Sequence, residues 1–442
     1  MDQLVELIQS MSKMEKRQFV LEQKSLSPEN HIFTLYKEVV KADAYDENAL
    51  KKLFKGKTFV KILPTIKNQL YRALLSSMRE FHKKSNIDFI IRNELTEIDI
   101  LIKKKLYTQA LKKCNAIKKN IESHERFTYY MEVILKETEL KFYTQKNKEF
   151  VNQINRSITT ARWVGRSYYL YAYQKLMLFR TQSMLWNGKT FDEIKYDPTR
   201  EKKFLDVRSA YYYNLHHSLL YHVQTKNYQE ALKVSDSLIQ LMEENPHEFE
   251  DNPEQKVDVW YACGMAYLFN GEHEKLDKIL SDIEELKTDN RRIAIRKNER
   301  LIDLKLQQIL VHNKGEEELD TIRDIVEEES KDYSTFYAQK FWDALSTIYM
   351  KRNEFRESLK CNYHLLIYKK TRRANHYYIR ATLREIYLYY VQGKETIFES
   401  RLKSVTRSNM PLTDQEKSLL KNIKNGEKIA AYKAYLMRKK KT

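Results

Sequence analysis

Three groups of residues have types that could do chemistry. The only histidine cluster is His216, His217 and His222. It lacks the H-E-x-x-H spacing that places two zinc ligands on one helical face. Cys114, Cys263 and Cys361 are odd in number and far apart, which reads as small core residues rather than a metal or redox set. Arg292, Arg296 and Arg300 stand at i, i+4 and i+8, one stripe on one helix, with Arg291 and Lys297 beside it. Such a stripe could hold phosphates, but Glu299 and Asp303 are near enough in sequence to pair with it. No Ser, His and Asp residues form a local nucleophile motif, and eight glycines offer no phosphate-cradling loop. Carboxylates are plentiful, so a non-local acid–base pair stays open. The expectation is a chain that is not an enzyme and uses no cofactor or metal.

Binding chemistry is better represented. The 79 basic and 61 acidic residues leave a net charge of +18, which favours acidic partners or polyanions. A lysine run, including Lys51, Lys52, Lys55, Lys57, Lys61 and Lys67, makes the N-terminal stretch basic. Acidic connectors run from Glu243 to Asp251 and from Glu316 to Asp320. The tyrosine runs Tyr168, Tyr169, Tyr171, Tyr173 and Tyr211, Tyr212, Tyr213 could stack bases or grip a peptide. About half of each run must face a core, because adjacent helical residues diverge by about 100°.

The elements that must position these residues are helices. Four stretches share a polar turn, an aromatic or histidine, and a small residue or leucine a turn later: Leu106-Tyr107-x-x-Ala110-Leu111, Asn227-Tyr228-x-x-Ala231-Leu232, Glu354-Phe355-x-x-Ser358-Leu359 and Gly271-Glu272-His273-x-x-Leu276. Similar turns near Phe150, Phe191, Glu317 and Ile397 complete a series with a mean spacing of about 41 residues. Trp260-x-x-Cys263-Gly264-x-x-Tyr267 and Trp342-x-x-Leu345-Ser346-x-x-Tyr349 put bulky residues at i, i+3 and i+7 around a small residue that admits a neighbouring helix.

These residues resemble the tetratricopeptide repeat, in which a Trp-x-x-Leu-Gly-x-x-Tyr helix is followed by a turn and a Tyr-x-x-Ala helix. The match is close over 257–287 and 339–369 and partial over 88–120 and 209–241. Leu276, Asn362 and the long period depart from it. The resemblance implies an all-α, right-handed solenoid of antiparallel helix pairs that binds another protein or peptide on its concave face. Its register assigns Tyr213, His216, Tyr261, Met265, Lys340, Asp343 and Thr347 to that face. The Lys and Asn clamp by which some of these repeats hold a C-terminal carboxylate is absent from the register.

No Gly/Ser-rich or Pro-rich linker interrupts 85–400, so residues 86–402 read as one array in which paired helices run without a break. Residues 1–85 do not follow the repeat and form a basic helical module or cap, with capping signals at Ser12-x-x-Glu15, Ser27-Pro28-Glu29 and Asp46. Pro64 belongs in the first turn of a long helix, with Leu63 extended before it. A helix-turn-helix reader of nucleic acid is the other reading of this module, although residues 55–63 are long for its turn. Nucleic-acid binding through Lys57, Lys61 and Lys67, or through Arg292, Arg296 and Arg300, is therefore the alternative function. Residues 403–442 add capping helices, the first opened by Thr413-x-x-Glu416, and a basic tail. No apolar run of 18 residues exists, and the start lacks a signal-peptide pattern, so a cytoplasmic protein without membrane insertion is expected.

Overall fold

The computed structural model describes residues 3–24, 31–41, 62–83, 86–144, 149–186, 206–246, 249, 252–367, 376–408 and 410–424. Among the described residues no strand occurs, and α-helices follow one another along the chain. The first four are α1 Gln3–Ser10, α2 Lys13–Lys24, α3 His31–Lys41 and α4 Leu63–His82. They bury a cluster of their own, from Leu4 to Leu74, and Glu15 on α2 pairs with His82 on α4 at 2.7 Å. Then come α5 Ile87–Lys103, α6 Tyr107–Ser123, α7 Phe127–Thr144, α8 Glu149–Trp186, α9 Arg208–Gln224, α10 Tyr228–Glu244 and α11 Pro253–Asn270. The rest are α12 His273–Glu285, α13 Arg291–His312, α14 Leu319–Glu329, α15 Thr335–Lys351, α16 Phe355–Ile367, α17 His376–Val391, α18 Glu395–Arg407 and α19 Asp414–Lys424. From α5 onward successive helices pack against their neighbours, and α1 also lies against α13. No helix among the described residues is long and apolar enough to cross a membrane.

Helix starts follow the expected capping chemistry. Ser12 and Glu15 exchange backbone-to-side-chain bonds at α2, and Thr413 and Glu416 do the same at α19. Asn86, Asn252, Asn290 and Ser334 cap α5, α11, α13 and α15 with their side-chain oxygens. Pro64 is the second residue of α4, and the non-helical residue before that helix is Ile62, one position earlier than anticipated. Ser27 to Glu29, Asp46, the stretch up to Lys61 and the basic tail lie outside the described residues.

The recurring turn has one construction. Lys105, Lys226, Gly271, Asn353 and Gly393 all adopt positive φ, between 61° and 74°. Each donates its N–H to the carbonyl three residues back, and the next residue donates to the carbonyl five back, as Asn227 does to His222 at 2.9 Å. That is a Schellman stop, which satisfies the last orphan carbonyls of one helix and aims the chain into the next. The four strong anchors, Tyr107, Tyr228, His273 and Phe355, are the first residues of α6, α10, α12 and α16. The small residues behind them are sealed: Ala110, Ala231 and Ser358 have no exposed surface. A Cβ on Gly264 would meet Leu304 at 3.0 Å and Ile279 at 3.3 Å, so α11 approaches α13 and α12 closely there.

Among the described residues the unbroken pairing fails at α8. Where a 41-residue period calls for a helix pair, α8 runs as a single helix of 38 residues. The physical reason is in its sequence: there is no proline and only Gly165 as a glycine, so no residue ends the helix midway. Toward the C-terminus, Leu419, Leu420 and Ile423 of α19 join a core with Leu383 and Tyr387 of α17.

Candidate binding surface

The first helices of successive pairs, α11, α13, α15 and α17, contact one another in turn, and an acid–base pair crosses each contact. Asp258 on α11 accepts from Arg296 at 2.5 Å and Arg300 at 3.1 Å, and Arg296 also reaches Glu254. Asp303 on α13 accepts from Lys340 and from the Tyr261 hydroxyl, both at 2.5 Å. Asp343 on α15 accepts from Arg384 at 2.6 Å and pairs with Arg380 at 3.2 Å. Arg384, fully buried, also donates to Thr347 at 2.9 Å and Asn362 at 3.3 Å. Burial alone would raise the Asp303 carboxyl, but Lys340 outweighs it and holds the group below the usual carboxylate range. Burial and then Asp303 push the Tyr261 hydroxyl well up. Asp303 is thus held ionised, and Asp258 and Asp343 are likewise paired with bases across the helix contact, an arrangement that suits structure better than proton transfer near neutrality.

Arg296 and Arg300 of the stripe are paired, but not by the acids nearest in sequence. Arg296 and Arg300 take Glu254 and Asp258 of the preceding helix, whereas Asp303 serves Lys340 and Glu299 accepts from the Ser334 N–H at 2.7 Å. The reason is geometric: the guanidiniums point across the interhelix contact instead of along their own helix. Arg292 is exposed. Lys57 and Lys61 fall outside the described residues, and Lys67 is half-buried on α4.

Of the residues assigned to a concave face, the structure joins Tyr261 and Lys340 through Asp303. Tyr213, His216, Asp343 and Thr347 are buried, and Tyr261, Met265 and Lys340 are half-buried. Burial lowers His216 to about 4 and His217 to about 3, so both are neutral. His217 is bonded to Thr181 at 2.8 Å. The three cysteines are buried, and burial raises their thiols, to about 11 at Cys114 and about 12 at Cys263 and Cys361.

The tyrosine runs meet at a cleft of about 400 Å³ between α5, α7, α8, α9 and α11. Its wall is an aromatic relay: Tyr168 to Tyr171 at 6.3 Å, Tyr171 to Tyr213 at 5.7 Å, Tyr213 to Tyr212 at 5.0 Å and Tyr212 to Phe249 at 5.3 Å. Lys175 lies over Tyr171 and Tyr213 and donates to the Tyr171 hydroxyl at 2.9 Å. Burial would lower its pKa, but the tyrosine hydroxyls outweigh that and raise it, so the ammonium stays charged. On the far side Glu125 accepts from the N–H groups of Arg208 and Ser209, at 2.9 and 2.6 Å. It caps α9, whose own N-cap residue Val207 offers no side-chain oxygen.

Beyond the cleft, α8 turns an apolar face outward. Among the described residues ten of the 24 exposed large hydrophobic side chains lie between Leu135 and Phe179, and none between 206 and 310. Tyr169 and Leu176 are 63% and 66% exposed. The motif reading singled out the tyrosines of this helix but not Val151, Ile158 and Leu176. The signal that would have found them is the helix itself, whose only acid is Glu149.

No protein-family model matches the chain, and no curated protein and no solved structure is significantly similar to it.

Proposed function

We propose that this chain is a non-catalytic scaffold that binds another protein, with its helix pairs arranged as a tetratricopeptide-like solenoid. The observation that carries the reading is the concentration of exposed apolar side chains on α7 and α8. Ten exposed large apolar side chains gathered on one stretch, where 206–310 has none among its described residues, are a concentration of the kind found at docking surfaces. The sealed thiols, the neutral buried histidines and the paired inner acids support a binding rather than a catalytic role. For the nucleic-acid alternative, phosphates at Arg296 and Arg300 would have to displace Glu254 and Asp258.

The test is capture of partners by the full chain from its native extract, with and without nuclease, followed by their identification. Wild type should retain a defined protein partner in both conditions. Leu176→Asp, at an exposed position, should lose it while melting at the wild-type temperature. Capture that survives Leu176→Asp, or that vanishes with nuclease, would sink the proposal.

A further inference from the structure

The outward face of α8 has a definite composition. From Phe150 to Trp186 there is no aspartate or glutamate, while Arg156, Arg162, Arg166, Lys175 and Arg180 supply five positive charges. The four arginines are exposed, and no carboxylate of the described residues pairs with them. At about 100° per residue, Val151, Ile158, Tyr169 and Leu176 fall within about 20° of one another around the helix. All four are exposed. Arg162 and Arg180 flank that line on the same face. Gly165, also exposed, lowers the ridge midway, and a Cβ there would meet nothing nearer than Met131 at 3.9 Å. The line runs for about 38 Å at 1.5 Å per residue. The opposite sides of α8 are packed on α7 and α9, so this face has no occupant within the described residues.

Resting on the docking role proposed above, we propose that this face seats an acidic amphipathic helix of a partner protein. The apolar residues are separated by 7, 11 and 7 positions. Those are the repeats at which a second helix, lying nearly parallel, returns a side chain to the same seam. Three of the four, Val151, Ile158 and Leu176, are aliphatic and can bury against leucines, and Tyr169 is the one ring on the line. Base stacking needs a ring for each successive base, so the line favours a peptide over single-stranded nucleic acid. The acid-free flank then selects for carboxylates, with Arg162, Arg166 and Arg180 as bidentate donors.

The probes are three fluorescent ligands: a peptide of about 20 residues with leucines along one helical face and glutamates on the other, the same peptide with lysines for glutamates, and an oligothymidine of similar length. Binding to the full chain is read by anisotropy at low and physiological salt. The glutamate peptide should bind at least tenfold more tightly than either alternative. Arg162→Gln, Arg166→Gln and Arg180→Gln together should weaken it tenfold or more and flatten its salt dependence, with unchanged melting. Equal affinity for the two peptides, indifference to the arginine changes, or no peptide binding would overturn the proposal. Tighter oligothymidine binding that the arginine changes abolish would replace the acidic helix with a polyanion. If the partner captured from the extract is lost with Leu176→Asp but kept by the triple glutamine variant, the docking face stands and its acidic occupant falls.

Discussion

Two stretches of this molecule are built from the same helices and finish their surfaces in opposite ways. From 206 to 310 the bulky side chains turn inward, and Arg296, Arg300, Lys275 and Lys305 each have a carboxylate on another element. Along α8 the exposed arginines pair with no carboxylate of the described residues, and Tyr169 and Leu176 stand exposed on the same helix. Both bury apolar side chains against neighbours, Val164 and Leu178 on α8 and Leu219, Ala231 and Leu304 in the other stretch. What differs is whether the second face of the helix has a partner among the described residues. A helix between two others, with a third flank bare among the described residues, has an apolar surface of the kind that marks a docking site.

The contrast can be broken first at its sealed side. Ala231 sits in the notch where α10 meets α11, with no exposed surface, so Ala231→Arg must overpack the contact and bury a charge. A loss on the order of several kcal/mol is expected in chemical denaturation. An unchanged midpoint would mean that the notch is not a packing position. Leu176→Asp, by contrast, should shift stability by no more than about 0.5 kcal/mol.

A pH scan sharpens the same contrast. His216 and His217, on α9, are held neutral with values of about 4 and about 3, against 6.5 for an ordinary histidine. Between 6.5 and those values only the unfolded chain takes up their protons, so stability is full above pH 6.5 and falls as the pH drops. At pH 5.5 the expected loss is about 1.4 kcal/mol for each histidine relative to neutral pH. Urea unfolding at pH 7.5 and 5.5 measures it; burial lowers His364 as well, so His216→Gln should remove about 1.4 kcal/mol of the difference and not abolish it. An equal slope in that variant would place the proton uptake elsewhere.

The smallest effect concerns the turns. Lys226 pays a left-handed φ of 61° that costs a side-chain-bearing residue but not glycine. Lys226→Gly should stabilise the chain by about 0.5–1 kcal/mol in urea unfolding. Destabilisation instead would show that the lysine side chain contributes more than its backbone strain removes.

Much of the helical order was legible because its signals are local. Capping pairs such as Ser12 with Glu15 sit three residues apart, and a small residue after an aromatic turn marks a helix start. The stops were harder to see, since Lys105, Lys226 and Asn353 take the conformation that glycine normally announces. The partners of the arginine stripe were misassigned because sequence proximity favours Glu299 and Asp303, whereas the pairing crosses to Glu254 and Asp258 some 40 residues away. α8 escaped the period because nothing in its sequence interrupts it. Its bare face emerges only when burial is known, although its lack of acids was visible throughout.

The acid–base crossings have a consequence for how such a chain can grow. α13 offers Arg296 and Arg300 backward and Asp303 forward, and α15 offers Lys340 backward and Asp343 forward. α13 and α15 therefore each carry a base toward the helix before and an acid toward the helix after, so either one is complementary in charge to the other. A tandem duplication of one helix pair would arrive with a base for the acid already in front of it and an acid for the base behind. A duplicated unit that stacked as α13 stacks on α15 would then meet its neighbours with the Asp303–Lys340 kind of pairing already in hand.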